Sequence, residues 1–174
     1  MIENRLKEVS LATPDPERSL KNLSSFLDGN SSRKDEFNLY IREISLLFSM
    51  SQFLANYSIA NPDVLFEVLK VLENPPDKDS LSLSLKENRD TVNVEPHRTA
   101  MSFYMKTMRE FKIRELLRIT LRDILKKADL VDIMLELSDL ADVIIEYSLE
   151  LVRKSLSEIY GSPSDDAFTV IALG

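Results

Sequence analysis

From His97 to Tyr160 the chain contains neither proline nor glycine, although Pro96 stands just before this stretch and Gly161 just after it. Proline and glycine are the residues that most reliably end helices, so their absence leaves one long helical tract to be accommodated. Only the polar corner "KKADLVD" interrupts it. Glu95–Pro96 opens a first helix running to about Lys127, Asp129 caps a second running to about Tyr160, and Gly161 and Pro163 end it. A joint this short makes the two helices an antiparallel hairpin. Glycine numbers 3 in the whole chain of 174 residues and tryptophan is absent, which favours helix over a turn-rich β fold elsewhere too. The expected fold class is all-α: a helical bundle with a long antiparallel hairpin.

The first half carries its own helix signals. In "TPDPERSLKNLSSFLDG", Asp15 is the N-cap, Pro16 takes the first position, Leu20, Leu23 and Leu27 share a face, and Gly29 is the stop. Ser31 or Ser32 would cap a longer helix over about 33–58. Its Leu39, Ile41, Ile44, Leu47, Phe48, Phe53 and Leu54 cover more than one stripe and are expected to be buried. "NPDVLFEVLKVLENPP" gives a short helix with Asn61 as cap, Pro62 first, an inner face of Leu65, Val68, Leu69 and Leu72, and Pro75–Pro76 as its end.

Residues 75–96 are less decided. "SLSLSL" (Ser80–Leu85) alternates with period two, as a strand would, but lacks a pairing partner, so a short helix or an ordered loop is favoured. The polar "ENRDTVNVEP" reads as a connection between two lobes. At the far end "DAFTVIALG" reads as a strand, the convincing one in the chain, with Asp165–Asp166 before it as turn and cap residues. The organisation is therefore a helical lobe at 1–90, the hairpin at 91–163, and a terminal strand within 164–174.

A charge pattern links the hairpin's arms. Arg114, Arg118, Arg122 and Lys126 recur every four residues, and like charges at this spacing repel by roughly 0.2–0.5 kcal/mol per pair. The second helix carries Asp132, Glu136, Asp139, Asp142, Glu146 and Glu150 on one face. Interhelical pairing of the two rows is the favoured reading, ahead of two solvated faces and of an arginine row for phosphate or a partner's acids. Ile113, Leu116, Leu117, Leu121 and Ile124 would close beside it on Leu130, Ile133, Leu137, Leu140, Ile144 and Leu151.

Chemistry is scarce. Without cysteine there can be no disulfide, thiolate metal site or cysteine nucleophile. The single histidine, His97, cannot build a multi-histidine metal site, and a surface or capping role suits it better than catalysis. No phosphate-binding glycine loop exists. Met101, Phe103, Tyr104, Met105, Met108 and Phe111 read as core before they read as a groove. A net charge of −7 disfavours nonspecific binding to nucleic acid or anionic membrane. The N-terminus has no signal-peptide pattern and no apolar run is long enough to span a bilayer, so a cytoplasmic location is expected. Read this way, no catalytic, cofactor-binding or metal residue is assigned.

The segment "MREFKIRELLRITLRDILKKADLVDIMLELSDLAD" resembles the signature of the bacterial glutamine synthetase adenylyltransferase family. Arg109, Phe111, Lys112, Arg114, Glu115, Arg118, Ile119, Arg122 and Asp123 match its arginine-rich run, with Ile124 where the family has leucine. Leu137, Ser138, Leu140, Ala141 and Asp142 match a second element. "DPERSLKNLSSFL" and "SQFLANYSIANPDVL" are similar to earlier family segments, while 75–96 has no obvious counterpart. The resemblance implies that "FTVIALG" is the first strand of a nucleotidyltransferase domain, with Ala172–Leu173 where the family often has Gly-Met. It also implies a parent enzyme with two nucleotidyltransferase halves that uses ATP and magnesium. One half adds AMP to a tyrosine of glutamine synthetase, the other removes it by phosphorolysis, and both answer to glutamine and a nitrogen-signalling regulator protein. The opening-helix match and Met1 imply the deadenylylating half. The phosphate-binding turn and the metal-holding aspartates of that domain are not among these residues, so the chain alone is expected to be inactive. The alternative is a standalone acidic helical module for protein interaction.

Overall fold

Local capping chemistry marks where several helices begin. The computed structural model describes residues 2–90, 97–161 and 170, with backbone only at 88–90 and 97–100. The helices are α1 (Ile2–Leu11), α2 (Pro16–Gly29), α3 (Lys34–Leu39), α4 (Ile41–Met50), α5 (Gln52–Ala60), α6 (Pro62–Lys70), α7 (Lys78–Asp90), α8 (His97–Ile124) and α9 (Leu130–Tyr160), with a 3₁₀ turn at Ser31–Arg33. Asp15 accepts the Arg18 amide at 3.0 Å, Asp77 that of Ser80 at 2.8 Å and Asp129 that of Asp132 at 2.9 Å. Each contact satisfies one of the amides that a helix start leaves without a partner.

Two expectations about caps change. Asn61 precedes α6 as anticipated, but its side-chain amide donates backwards to the Tyr57 carbonyl at 2.9 Å and caps nothing ahead of it. Neither Ser31 nor Ser32 caps a helix; both lie in the 3₁₀ turn. α1 had no sequence signal singled out for it. Its single buried apolar residue is Leu6, with Ser10 buried beside it, too sparse a stripe to stand out.

The helix expected over 33–58 is three helices. It breaks at Tyr40 and again at Ser51, whose backbone is extended (φ −135°, ψ 104°) and whose hydroxyl accepts the Leu54 amide at 3.3 Å. The breaks let the segment wrap around Phe26. That ring lies 5.4 Å from Phe37, 6.0 Å from Phe48 and 6.0 Å from Phe66, in stacked, tilted and edge-on contact. One straight helix could not bring both Phe37 and Phe48 to the same partner. The bends also turn Leu39 and Phe53 out to solvent, against expectation.

α1 to α6 enclose a first core in which Leu23, Phe26, Ile44, Leu47, Leu65, Phe66 and Val68 are buried. Small polar residues let α1, α2 and α4 come close: Ser19 Oγ lies 2.8 Å from Ser45 Oγ, and Ser10 Oγ donates to Ser19 Oγ at 3.3 Å. α7, α8 and α9 form a second core from Leu81 and Leu85, Phe111 and Ile119, and Ile133, Leu140, Val143, Tyr147 and Leu151. The "SLSLSL" stretch is thus helical, with Leu81 and Leu85 one turn apart on the buried side and Leu83 exposed. The structure is all-α throughout its described residues. The expected terminal strand, with Asp165 and Asp166, lies outside them except for Val170.

α8 belongs to both cores. Leu117 and Leu121, with Ile113 and Ile124 beside them, close the first core, while Phe111, Ile119 and Leu116 meet the second. The stripe Ile113, Leu117, Leu121, Ile124 therefore does not pack on α9 as anticipated; it faces α4 and α6. α9 does run back along α8 as a hairpin arm. Of its expected inner residues, Leu130 and Leu137 are exposed. Of the Met and Phe group only Phe111 is buried, with Tyr104 and Met108 packed at the edge of the second core.

Candidate functional site

Between the two apolar faces of α8 runs its arginine column. At 3.6 residues per turn a step of four drifts by only about 40°, so Arg114, Arg118 and Arg122 stay in the seam where the cores meet. Burial differs sharply along it. Arg118 and Arg122 keep 2% and 6% of their surface exposed, and Glu115 keeps 6%. Arg114 is more open, with 39% of its side chain accessible.

Arg118 donates from Nε to Glu115 Oε2 at 2.7 Å and from Nη1 to Glu136 of α9. Arg122 donates from Nε to the other Glu136 oxygen at 2.9 Å and from Nη1 to the Leu72 carbonyl just beyond α6. One carboxylate thus bridges two guanidinium groups, and the fork geometry of arginine suits it to this role. Buried charges of this kind gain little over apolar residues, but removing one partner is costly because its mate is left unpaired in low dielectric.

The expected pairing of the two charged rows is therefore confined to Glu136. Arg114 turns to Glu67 of α6 at 3.8 Å, and Lys126 to Asp123 at 3.9 Å. Asp142, Glu146 and Glu150 of the acidic stripe are met by α7. Lys78 Nζ lies 2.9 Å from Asp142 and 3.0 Å from Glu146, and Lys86 lies 3.6 Å from Glu150. The two carboxylates hold the Lys78 ammonium above its ordinary range, at about 12. Sequence reasoning missed this because α7 inserts from outside the hairpin. Its lysines sit two turns apart and could have been matched to Asp142 and Glu150 had the helix been assigned.

Beside Arg118 lies a cavity of about 260 Å³ bordered by α6, α7 and α8 and the chain between the first two. Arg114, Glu115 and Arg118 line it, together with Asn74, Ser80 and Ser84 and the apolar Val68, Val71 and Leu81. Arg118 Nη2 is buried and has no hydrogen-bond partner. Among the described residues no group of three or more metal-ligating side chains is placed to hold a metal ion. No helix among them is long and apolar enough to cross a membrane. His97 opens α8, and its side chain is outside the described residues.

The sequence that builds these helices has relatives. Residues 41–174 match the family described as glutamate-ammonia ligase adenylyltransferase, well over half of the chain. The chain belongs to that family. The resemblance read from the arginine-rich segment is thereby shown, and the matched region contains all of α4 to α9. A bifunctional glutamine synthetase adenylyltransferase/adenylyl-removing enzyme of Aromatoleum aromaticum is 29% identical over 178 residues, which cover 98% of this chain and 18% of the relative. An enzyme of the same description from Shewanella loihica is 26% identical over 124 residues, covering 71% of this chain and 12% of its own. The chain thus spans less than a fifth of the length of these adenylyltransferase relatives. No solved structure matches it.

Proposed function

We propose that this chain is a helical part of a bifunctional enzyme that adenylylates and deadenylylates glutamine synthetase, and that it belongs to the deadenylylating half. The family match over 41–174 carries the reading. The likeness of the Aromatoleum aromaticum enzyme, which reaches across 98% of the chain, supports it further. The division into residues 1–90, 91–163 and 164–174 is part of the proposal. The last of these contributes the opening strand of a nucleotidyltransferase domain.

In the complete enzyme, one half would direct a tyrosine hydroxyl of glutamine synthetase at the α-phosphorus of ATP, forming the phosphodiester and releasing pyrophosphate. The other would direct inorganic phosphate at the same phosphorus, freeing the tyrosine and forming ADP. Both are in-line displacements, for which positioning and charge stabilisation by bound metal supply most of the acceleration. The helices described above offer neither a metal-ligating cluster nor a glycine-rich phosphate cradle, and their role is to carry and orient what does the chemistry. The nitrogen-signalling regulator and glutamine would act on that assembly, and its setting would be the cytoplasm.

The test is an AMP-transfer assay by intact-mass spectrometry of glutamine synthetase. The full-length gene product should add one AMP per subunit with ATP and magnesium, and release it as ADP when phosphate is supplied. The 174-residue chain should do neither. Either reaction catalysed by the 174-residue chain alone, or neither by the full-length protein, would overturn the reading.

A further inference from the structure

Burying a guanidinium nitrogen with no partner normally costs on the order of 1–3 kcal/mol, so native structures rarely leave one. Arg118 Nη2 is such an atom, and its residue borders a cavity of about 260 Å³. A single water occupies roughly 30 Å³ of liquid, so the space exceeds what one bridging water would fill. The second cation on the wall is loosely held. Arg114 reaches Glu67 only at 3.8 Å, and both side chains are well exposed, so that ion pair is weak.

The charges on the wall decide the class of guest. Arg118 and Arg122 are offset by Glu115 and Glu136, with Glu115 turned onto Arg118 Nε at 2.7 Å. What remains is one loosely paired guanidinium, that of Arg114, and the two unused N–H groups of Arg118 Nη2. Together they suit a single negative charge presented as a fork of two oxygens. A doubly charged phosphate would have one charge unmatched, close to Glu115. The lining also includes the apolar Val68, Val71 and Leu81, which would cover a short aliphatic body, and the polar Asn74 and Ser80.

We propose that the cavity between α6, α7 and α8 is a binding site for a small monocarboxylate, whose carboxylate is received by Arg118 Nη2 and Arg114. The site does not depend on the enzyme reading given above. It rests on the orphaned nitrogen, the cavity and the composition of its walls. Because Nη2 is buried, binding requires the bordering side chains to shift slightly, with Arg114 swinging from Glu67 onto the ligand.

Sodium propionate is the probe, added to the 174-residue chain and followed by saturation-transfer NMR on its methyl group. Formate, inorganic phosphate and sodium chloride at matched ionic strength are run beside it. Saturable binding with Kd on the order of 1 mM is expected. Propionate should bind more tightly than formate, by at most about fourfold per methylene. Arg114→Met should weaken propionate about tenfold, as expected for loss of a charge-assisted contact. Arg118→Lys, which keeps the charge but loses the fork, should abolish saturation. Should that variant fail to fold, as judged by circular dichroism, Arg114→Met decides alone. A response linear in propionate, equal affinity in Arg114→Met, or phosphate binding as tightly as propionate would overturn the proposal. The first of these means that water alone occupies the cavity.

Discussion

Arg114 and Arg118 stand one turn apart on the same helix, yet one is a surface cation and the other is almost wholly enclosed. The difference comes from their neighbours and not from their own chemistry, which is why a column of identical charges in the sequence did not show which member would be buried. Lys126 is a second residue shaped by its place. It adopts φ 56°, the left-handed conformation that closes α8, and the amides of Lys126 and Lys127 donate to the carbonyls of Asp123 at 3.0 Å and Arg122 at 2.9 Å. Glycine is the usual occupant of this position because a Cβ is strained there. Lys126→Gly should therefore stabilise the chain by about 1 kcal/mol, read as a higher denaturation midpoint; an unchanged or lower midpoint would contradict this. Glu36 gives a pH prediction. Hydrogen bonds from Arg33 first and Lys70 second hold its carboxyl below the ordinary value of 4.5. A depressed carboxylate stabilises the fold above that value and loses its effect as pH falls through it. The stability gap between the parent and Glu36→Gln should then be constant near neutrality and close below pH 4.5. A gap that persists into acid would count against the pairing.

Among the elements, the hairpin, α2 and α6 were legible because their signals are local. Proline at the first turn, an aspartate cap and an apolar face of period 3.6 all lie within the segment they define. The breaks at Tyr40 and Ser51 were not legible, since they follow from wrapping around Phe26, a residue from another helix. α7 stays between helix and loop in the sequence because its serine–leucine alternation has the period of a strand, and only the second core explains why Leu81 and Leu85 sit on one side. Its docking on α9 also relies on exposed ion pairs, which salt screens. Hydrogen exchange in the first turn of α7 should therefore quicken with added salt and in Lys78→Met, and the variant should show little further response to salt. Because the Lys78 ammonium titrates near 12, its contribution should be fully present below 10.5 and lost as pH rises through about 12. Equal protection in parent and variant at low salt would show that the two lysine contacts do not hold α7.

At the scale of the whole molecule, two cores share one helix. α8 gives Leu117 and Leu121 to the first and Phe111 and Ile119 to the second, and the cluster of Glu115, Arg118, Arg122 and Glu136 fills the seam between them. Through the Leu72 carbonyl this cluster also reaches the end of α6, so it touches the first lobe and both arms of the hairpin. A helical part built this way should unfold as one unit, although its sequence reads as two lobes joined by a polar connection. The family signature falls on this seam, which accounts for how the arginine-rich segment could be recognised before its partners were known. The most direct measurement is urea denaturation of the 174-residue chain and of Arg118→Met, followed both by circular dichroism and by tyrosine fluorescence. The account predicts coincident single transitions and a loss of about 3–5 kcal/mol in the variant, because Glu115 is left buried without its partner. Two separated transitions in the parent, or a loss within about 0.5 kcal/mol as at an ordinary surface site, would contradict it.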